Sequence, residues 1–273
     1  MTAAVLGLGL VGGSLARDLH ALGYRVLGCD RDAGTLAAAV REGVVRVALA
    51  PDLAGIEEAD VVVVAVPVAA TPGLLRDVAA RAGDALVTDV GSTKRSVLAA
   101  AAAAGLAHRF VGAHPLCGDH RSGWGASRPG LFRGATVFLC PAPGSGPDAL
   151  ERAIGLWRSV GAEPRVTDAG EHDRRMAWVS HLPQAAASAL ALAIARSGLG
   201  AEALGPGGRD TTRLAAGSPE VWSGILLDNA DEVEAALAAL EGSVAGLRHT
   251  LERRDREGLA KALEAARRWK ETT

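Results

Sequence analysis

Lysine is nearly absent from this 273-residue chain, standing only at 94, 261 and 270, with arginine supplying the rest of the basic charge. The formal charge is only −2, so no field of one sign marks a nucleic-acid binder or a membrane-surface protein. Cysteine is equally scarce. Cys29, Cys117 and Cys140 are odd in number, scattered and without metal-ligand spacing, and they read as small apolar residues in a reducing compartment. Long apolar runs are missing too: the most apolar late segment, 185–195, is too short to span a bilayer. No basic stretch precedes the first apolar run, which already reads as a sheet strand rather than a signal peptide. These absences predict a cytoplasmic protein with no nucleic-acid, membrane or metal partner. The length is sufficient for two domains, each with its own core.

What is present is concentrated at the start. A short apolar run, 3–6, enters a turn containing Gly7, Gly9 and Gly12, and a helix-like segment follows from Ser14. Strand, G-x-G-x-x-G and helix in that order form the context a dinucleotide-binding fingerprint requires. Gly7 permits the tight turn, Gly9 lets backbone approach a pyrophosphate, and Gly12 lets helix pack on strand. The phosphates then meet the N–H groups of the helix N-terminus, where the dipole favours anions. A second strand ends in Asp30, eighteen residues beyond Gly12, where a carboxylate accepts hydrogen bonds from ribose hydroxyls and repels a 2′-phosphate. The expected cofactor is NAD. Its site is expected to include Gly7, Gly9, Leu10, Val11, Gly12, Asp30, Arg31, Val66 and Pro67, with Arg31 the one residue suited to a 2′-phosphate.

Strand-like runs at 25–29, 44–49, 61–66, 86–90, 110–114, 136–140 and 164–167 alternate with helix-like runs at 35–42, 71–81, 96–104 and 148–160. That alternation predicts an α/β fold with a doubly wound parallel sheet, a Rossmann domain over 1–167. Ligands on such sheets bind beyond the carboxyl ends of the strands, so Ser92, Lys94 and His114 are expected to face the cofactor crevice. Lys94 reads there as a solvated or phosphate-neighbouring charge. The remainder, 168–273, reads as helices at 171–197 (with Pro183 inside), 201–204, 219–251 and 256–270. Apolar residues at 233, 237, 240, 244 and 247 fall at helical spacing. Helices this long in so small a domain often bury their faces against a second copy, so a homodimer built on this all-helical half is expected.

The second informative stretch runs from Gly112 through His114-Pro115-Leu116-Cys117-Gly118 to Gly123, and an arginine-rich loop continues to Gly134. A histidine titrates near neutrality, so His114 at a strand end suits a general base; a structural role fits it as well. With Gly7–Ala16, Asp89-Val90-Gly91-Ser92-Thr93-Lys94, Ser180-His181-Leu182-Pro183 and Arg209-Asp210-Thr211-Thr212-Arg213, it completes an ordered set of motifs. In that set the chain resembles the prephenate/arogenate dehydrogenase family from residue 3 to about 270. The resemblance implies NAD-dependent oxidative decarboxylation on the route to tyrosine, with prephenate favoured over arogenate as the small-molecule substrate. It implies His114 as the base, with Ser92 orienting the hydroxyl or the imidazole. Arg213 is the implied carboxylate clamp, His181 and His120 line the substrate pocket, and Trp222 reaches toward a partner subunit's site. Two departures stand out: His120 replaces an acidic residue, beside Asp119, and Gln184 replaces a second histidine. A β-hydroxyacid dehydrogenase is the first rival, but that chemistry wants a lysine between 171 and 197, and there is none. A non-catalytic NAD-binding sensor is the second; it needs neither His114 nor Arg213.

Overall fold

Four consecutive valines, Val61–Val64, form a strand with every side chain buried, as a central strand covered on both faces requires. Around it a computed structural model, describing residues 1–118 and 121–272, builds one eight-stranded sheet. Its strands are β1 (Thr2–Leu6), β2 (Arg25–Cys29), β3 (Val47–Ala48), β4 (Val61–Val64), β5 (Leu86–Asp89), β6 (Phe110–Pro115), β7 (Thr136–Pro141) and β8 (Glu163–Val166). Their spatial order is β3-β2-β1-β4-β5-β6-β7-β8, so the winding reverses between β1 and β4. Side chains of β1 alternate between two cores: Ala3 and Val5 pack with Leu15 and Trp157, while Ala4 and Leu6 pack with Leu75 and Phe110.

The helices joining these strands are α1 (Leu10–Ala21), α2 (Ala33–Arg41), α3 (Thr71–Arg81), α4 (Arg95–Ala103) and α5 (Pro147–Ser159). The expected Rossmann plan stands, with two differences of detail. The run 44–49 pairs only at Val47 and Ala48, because Val44, Val45 and Leu49 turn into the cores instead. The last two strands run against the first six: β6 pairs antiparallel with β7, His114 opposite Phe138. A parallel return needs a crossover, usually a helix, and 116–135 holds only the short turn Trp124–Ala126 among its described residues. The antiparallel ladder also carries β6 on to Pro115, so His114 lies inside the strand rather than beyond it.

The second half is helical: α6 (Ala169–Met176), α7 (Leu182–Arg196), α8 (Pro206–Thr212), α9 (Pro219–Asp228), α10 (Ala230–Glu252) and α11 (Arg256–Glu271). The single helix expected over 171–197 is divided by a π-helical stretch, Ala177–His181. Pro183 has no N–H for the residue four back and its ring crowds that carbonyl, which accounts for the widened turn. Helix α8 contains two glycines and lay outside the sequence expectation. The expected helix 219–251 breaks at Asn229, whose buried side chain bonds elsewhere. The chain's contacts divide it into two compact units, Met1–Met176 with Ala216–Asn229 and Ala177–Ala215 with Ala230–Thr273.

Candidate active site

The glycine turn lies where the strand order reverses, between the exits of β2 and β4. Gly7 N–H donates to the Cys29 carbonyl at 2.8 Å, and Ala65 N–H donates to the Leu6 carbonyl at 2.7 Å. Gly7 has φ +98°, and a Cβ there would stand 2.3 Å from the Ala65 carbonyl oxygen. A Cβ on Gly12 would stand 2.0 Å from the Gly7 carbonyl oxygen, whereas one on Gly9 would meet nothing within 4 Å. Two glycines are therefore compelled by packing, and the third leaves backbone open to a ligand at the N-cap of α1, where no side chain caps the helix. The Asp30 carboxylate accepts from Leu8 N–H at 2.7 Å and from Asp32 N–H at 2.8 Å, which fixes it beside the turn. This cradle fits a dinucleotide. Val66 and Pro67 follow directly from β4, and Leu10 and Val11 are half-buried in the first turn of α1. Arg31 is exposed and lies 3.6 Å from Glu220.

Past Thr88 the ladder between β5 and β6 stops, and side chains take over the work of pairing. Thr88 Oγ1 donates to the Val111 carbonyl at 2.6 Å. Asp89 Oδ1 accepts the Ala113 N–H at 3.0 Å, and Lys94 Nζ donates to the Ala113 carbonyl at 2.8 Å. Lys94 and Asp89 also form an ion pair with each other, both fully buried. Lys94 is therefore not the solvated or phosphate-neighbouring charge expected; it clamps the residue before His114. Gly112 is required here, since a Cβ would approach Leu98 Cδ1 to 2.7 Å and Lys94 Cδ to 3.2 Å.

His114 is buried, and its Nδ1 lies 2.9 Å from His172 Nε2. His172 Nδ1 in turn lies 2.7 Å from Asp173 Oδ1. The Asp173 carboxylate also accepts the Lys94 N–H at 2.8 Å, the Arg95 N–H at 2.9 Å and Arg95 Nε at 3.3 Å. It thus sits on the N-terminus of α4, where the helix dipole favours an anion. Burial pushes its carboxyl up, but the hydrogen bonds from His172 and from the two backbone groups outweigh this and hold it below the ordinary aspartate range. Arg95 Nη2 reaches Asn229 Oδ1 at 2.8 Å, and Asn229 Nδ2 donates to the Asp173 carbonyl at 2.8 Å. That use of Asn229 is why the helix breaks there.

Ser92 is half-buried in the turn between β5 and Lys94, its backbone set by Gly91 N–H on Asp89 Oδ2 at 2.8 Å. Trp222 is half-buried on α9, in the same unit as His114. His181 and Arg213 belong to the other unit, His181 buried in the π-helical stretch and Arg213 exposed. There Gln184 Nε2 donates to the Leu214 carbonyl at 2.8 Å, holding the turn that begins at Arg213. His120 and Asp119 lie outside the described residues. Part of the arginine-rich loop is tied down on α1: Arg128 N–H donates to Ser14 Oγ at 3.0 Å and Gly130 N–H to Asp18 Oδ1 at 2.8 Å. Burial pushes the Cys117 thiol up to about 11 and the Cys140 thiol up to about 12, so neither is a thiolate near neutral pH. Sequence reasoning missed His172 and Asp173. Their only signal is a histidine–aspartate pair in a helix, and nothing in that spacing points to a strand 58 residues away.

Two family models match the chain: prephenate dehydrogenase, nucleotide-binding domain, over residues 15–166, and prephenate dehydrogenase, dimerization domain, over residues 168–265. A prephenate dehydrogenase of Bacillus subtilis is 31% identical, the match covering 99% of this chain and 75% of that protein. The solved prephenate dehydrogenase of Aquifex aeolicus in complex with hydroxyphenyl propionate and NAD+ superposes with a TM-score of 0.92 at 27% identity, covering 100% of this chain and 98% of that one. An arogenate dehydrogenase of Synechocystis gives a TM-score of 0.85 at 26% identity, covering 100% and 99%. On these matches the chain belongs to the prephenate dehydrogenase family.

Proposed function

We propose that this protein catalyses the NAD-dependent oxidative decarboxylation of prephenate to 4-hydroxyphenylpyruvate, as a homodimer. The observation that carries the reading is His114 itself: a buried imidazole on a clamped strand, its Nδ1 2.9 Å from His172 Nε2, with Nε2 assigned in this reading as the nitrogen that takes the substrate hydroxyl's proton. NAD, when bound at the glycine turn, accepts the hydride from the ring carbon that bears the hydroxyl. His114 takes the hydroxyl proton as the C–H bond is lost. The carboxylate leaves as carbon dioxide, its electron pair closes the aromatic ring, and His114 returns the proton to the phenolic oxygen. No net proton is consumed. Ser92 orients the hydroxyl or the imidazole, Arg213 clamps a carboxylate bidentately, and His181, His120 and Trp222 contribute to the substrate pocket. Asp30 favours NAD over its 2′-phosphorylated form.

The dimer reading is supported by the dimerization-domain match and by α10. Its apolar stripe is buried at Val233 but stands 57% exposed at Val244 and 61% exposed at Leu251. One helical run, Ala169–Arg196, is long and apolar enough to cross a membrane by length and composition. It lies wholly within the dimerization-domain match, so we assign its exposed Val179 and Leu192 to subunit packing and keep a cytoplasmic location as part of the proposal. The similarity to an arogenate dehydrogenase sustains a second reading, arogenate oxidised directly to tyrosine.

The test offers purified protein NAD with prephenate and arogenate in parallel and follows the reduced nicotinamide. Turnover of prephenate is expected, and His114→Gln is expected to lose roughly 10²–10⁴-fold in kcat while still binding NAD. NAD binding without turnover of either acid would discard the reading in favour of a sensor or another dehydrogenase.

A further inference from the structure

We propose that His172 and Asp173 are positioning residues that hold His114 in the one tautomer able to act as base and stabilise the positive charge it gains. The inference rests on the reaction proposed above, and it follows from the direction in which the hydrogen bonds must run. Asp173 is acceptor-only when ionised, and its oxygens already receive two backbone N–H groups and Arg95 Nε. His172 Nδ1, 2.7 Å from that carboxylate, must therefore carry a proton. A neutral His172 then presents a lone pair at Nε2, and His114 Nδ1, 2.9 Å away, must be the donor. His114 is left with its lone pair on Nε2. Each step is imposed by the one before it, back to a carboxylate fixed on the N-terminus of α4.

Orientation is fixed with equal strictness. The Phe138 ring meets His172 edge-on with centroids 5.6 Å apart, and His172 meets His114 at 70° and 5.1 Å. When His114 becomes an imidazolium, the Asp173 anion faces it through His172, both of them buried, where such an interaction is strengthened. Among the described residues, the other charged and titratable groups whose contacts lie nearby are engaged elsewhere. Lys94 and Asp89 neutralise each other, Arg95 is committed to Asp173 and Asn229, the Arg175 guanidinium lies over the far partner Phe138, and Cys140 stays a neutral thiol.

The experiment combines nitrogen-15 imidazole spectra of the full-length protein with kinetics of His172→Gln and Asp173→Asn across pH. The wild-type spectrum is expected to show His114 and His172 each protonated on Nδ1. In both variants kcat is expected to fall roughly hundredfold. KM for prephenate and Kd for NAD should stay within about twofold. The acid limb of kcat should move down by about one pH unit, because the imidazolium loses its counter-charge. Packing alone would leave that limb in place. A His114 protonated on Nε2, or variants with full kcat and an unmoved acid limb, overturns the proposal. Should Asp173→Asn fail to fold, His172→Gln and the wild-type spectrum decide the matter. Should the wild-type protein turn over neither acid, the reaction falls, while the spectrum still tests the relay.

Discussion

Around His114 the first unit buries Lys94, Asp89, His172 and Asp173 and bonds each of them to a neighbour. Helices α10 and α11 of the second unit are the opposite case: α10 buries only Val233 and Ala236, α11 buries nothing, and Leu251, Leu263 and Trp269 are exposed. One region is specified by polar groups that must all be paired, because an unpaired charge in a closed interior costs more than its pair contributes. The other is specified by an apolar periodicity that this chain leaves partly uncovered, and large exposed apolar surfaces mark interfaces. The first therefore tolerates substitution poorly and the second tolerates it well until its apolar face is charged.

The largest effect expected from breaking this contrast is at Lys94. Lys94→Met leaves the Asp89 charge buried without its counter-ion and is expected to cost about 3–5 kcal/mol in denaturant unfolding. Adding Asp89→Leu should restore part of that loss; a double variant no more stable than the single one would show that the pair does not act as a unit. Gly12→Ala comes next. Its methyl has no room against the Gly7 carbonyl, so a loss of about 1–3 kcal/mol and a weaker Kd for NAD are expected by melting and titration. In the second unit, Leu251→Glu is expected to change monomer stability by no more than about 0.5 kcal/mol. If the proposed homodimer pairs through α10, it should nevertheless shift sedimentation from dimer toward monomer, and an undisturbed dimer would remove α10 from the proposed interface.

The smallest effect concerns pH. The folded Asp173 titrates below its unfolded value of 3.8, so the stability it contributes is present above that pH and is lost as pH falls through the depressed folded value. Urea midpoints of the wild type should therefore drop more steeply below about pH 4 than those of Asp173→Asn. Parallel curves would mean that the carboxylate is not held in its ionised form.

Much of this protein was determined by its sequence alone. The glycine turn, Asp30 and the four valines of β4 are local signals, because φ > 0, a strand-end carboxylate and burial on both faces each leave a mark within a few residues. The ordered motifs around Ser92, His114, His181 and Arg213 pointed to the family for the same reason. Tertiary structure decided what depends on partners distant in the chain. Lys94 reads as a solvated charge until β5 and β6 part beside it, and His172 reads as an ordinary helix residue until β6 brings His114 within 2.9 Å. The reversal of β7, the π-helical turn before Pro183 and the break at Asn229 belong with them. Each follows from a missing crossover, an absent N–H or a side chain bonded 56 residues away, and hydrophobic periodicity registers none of these.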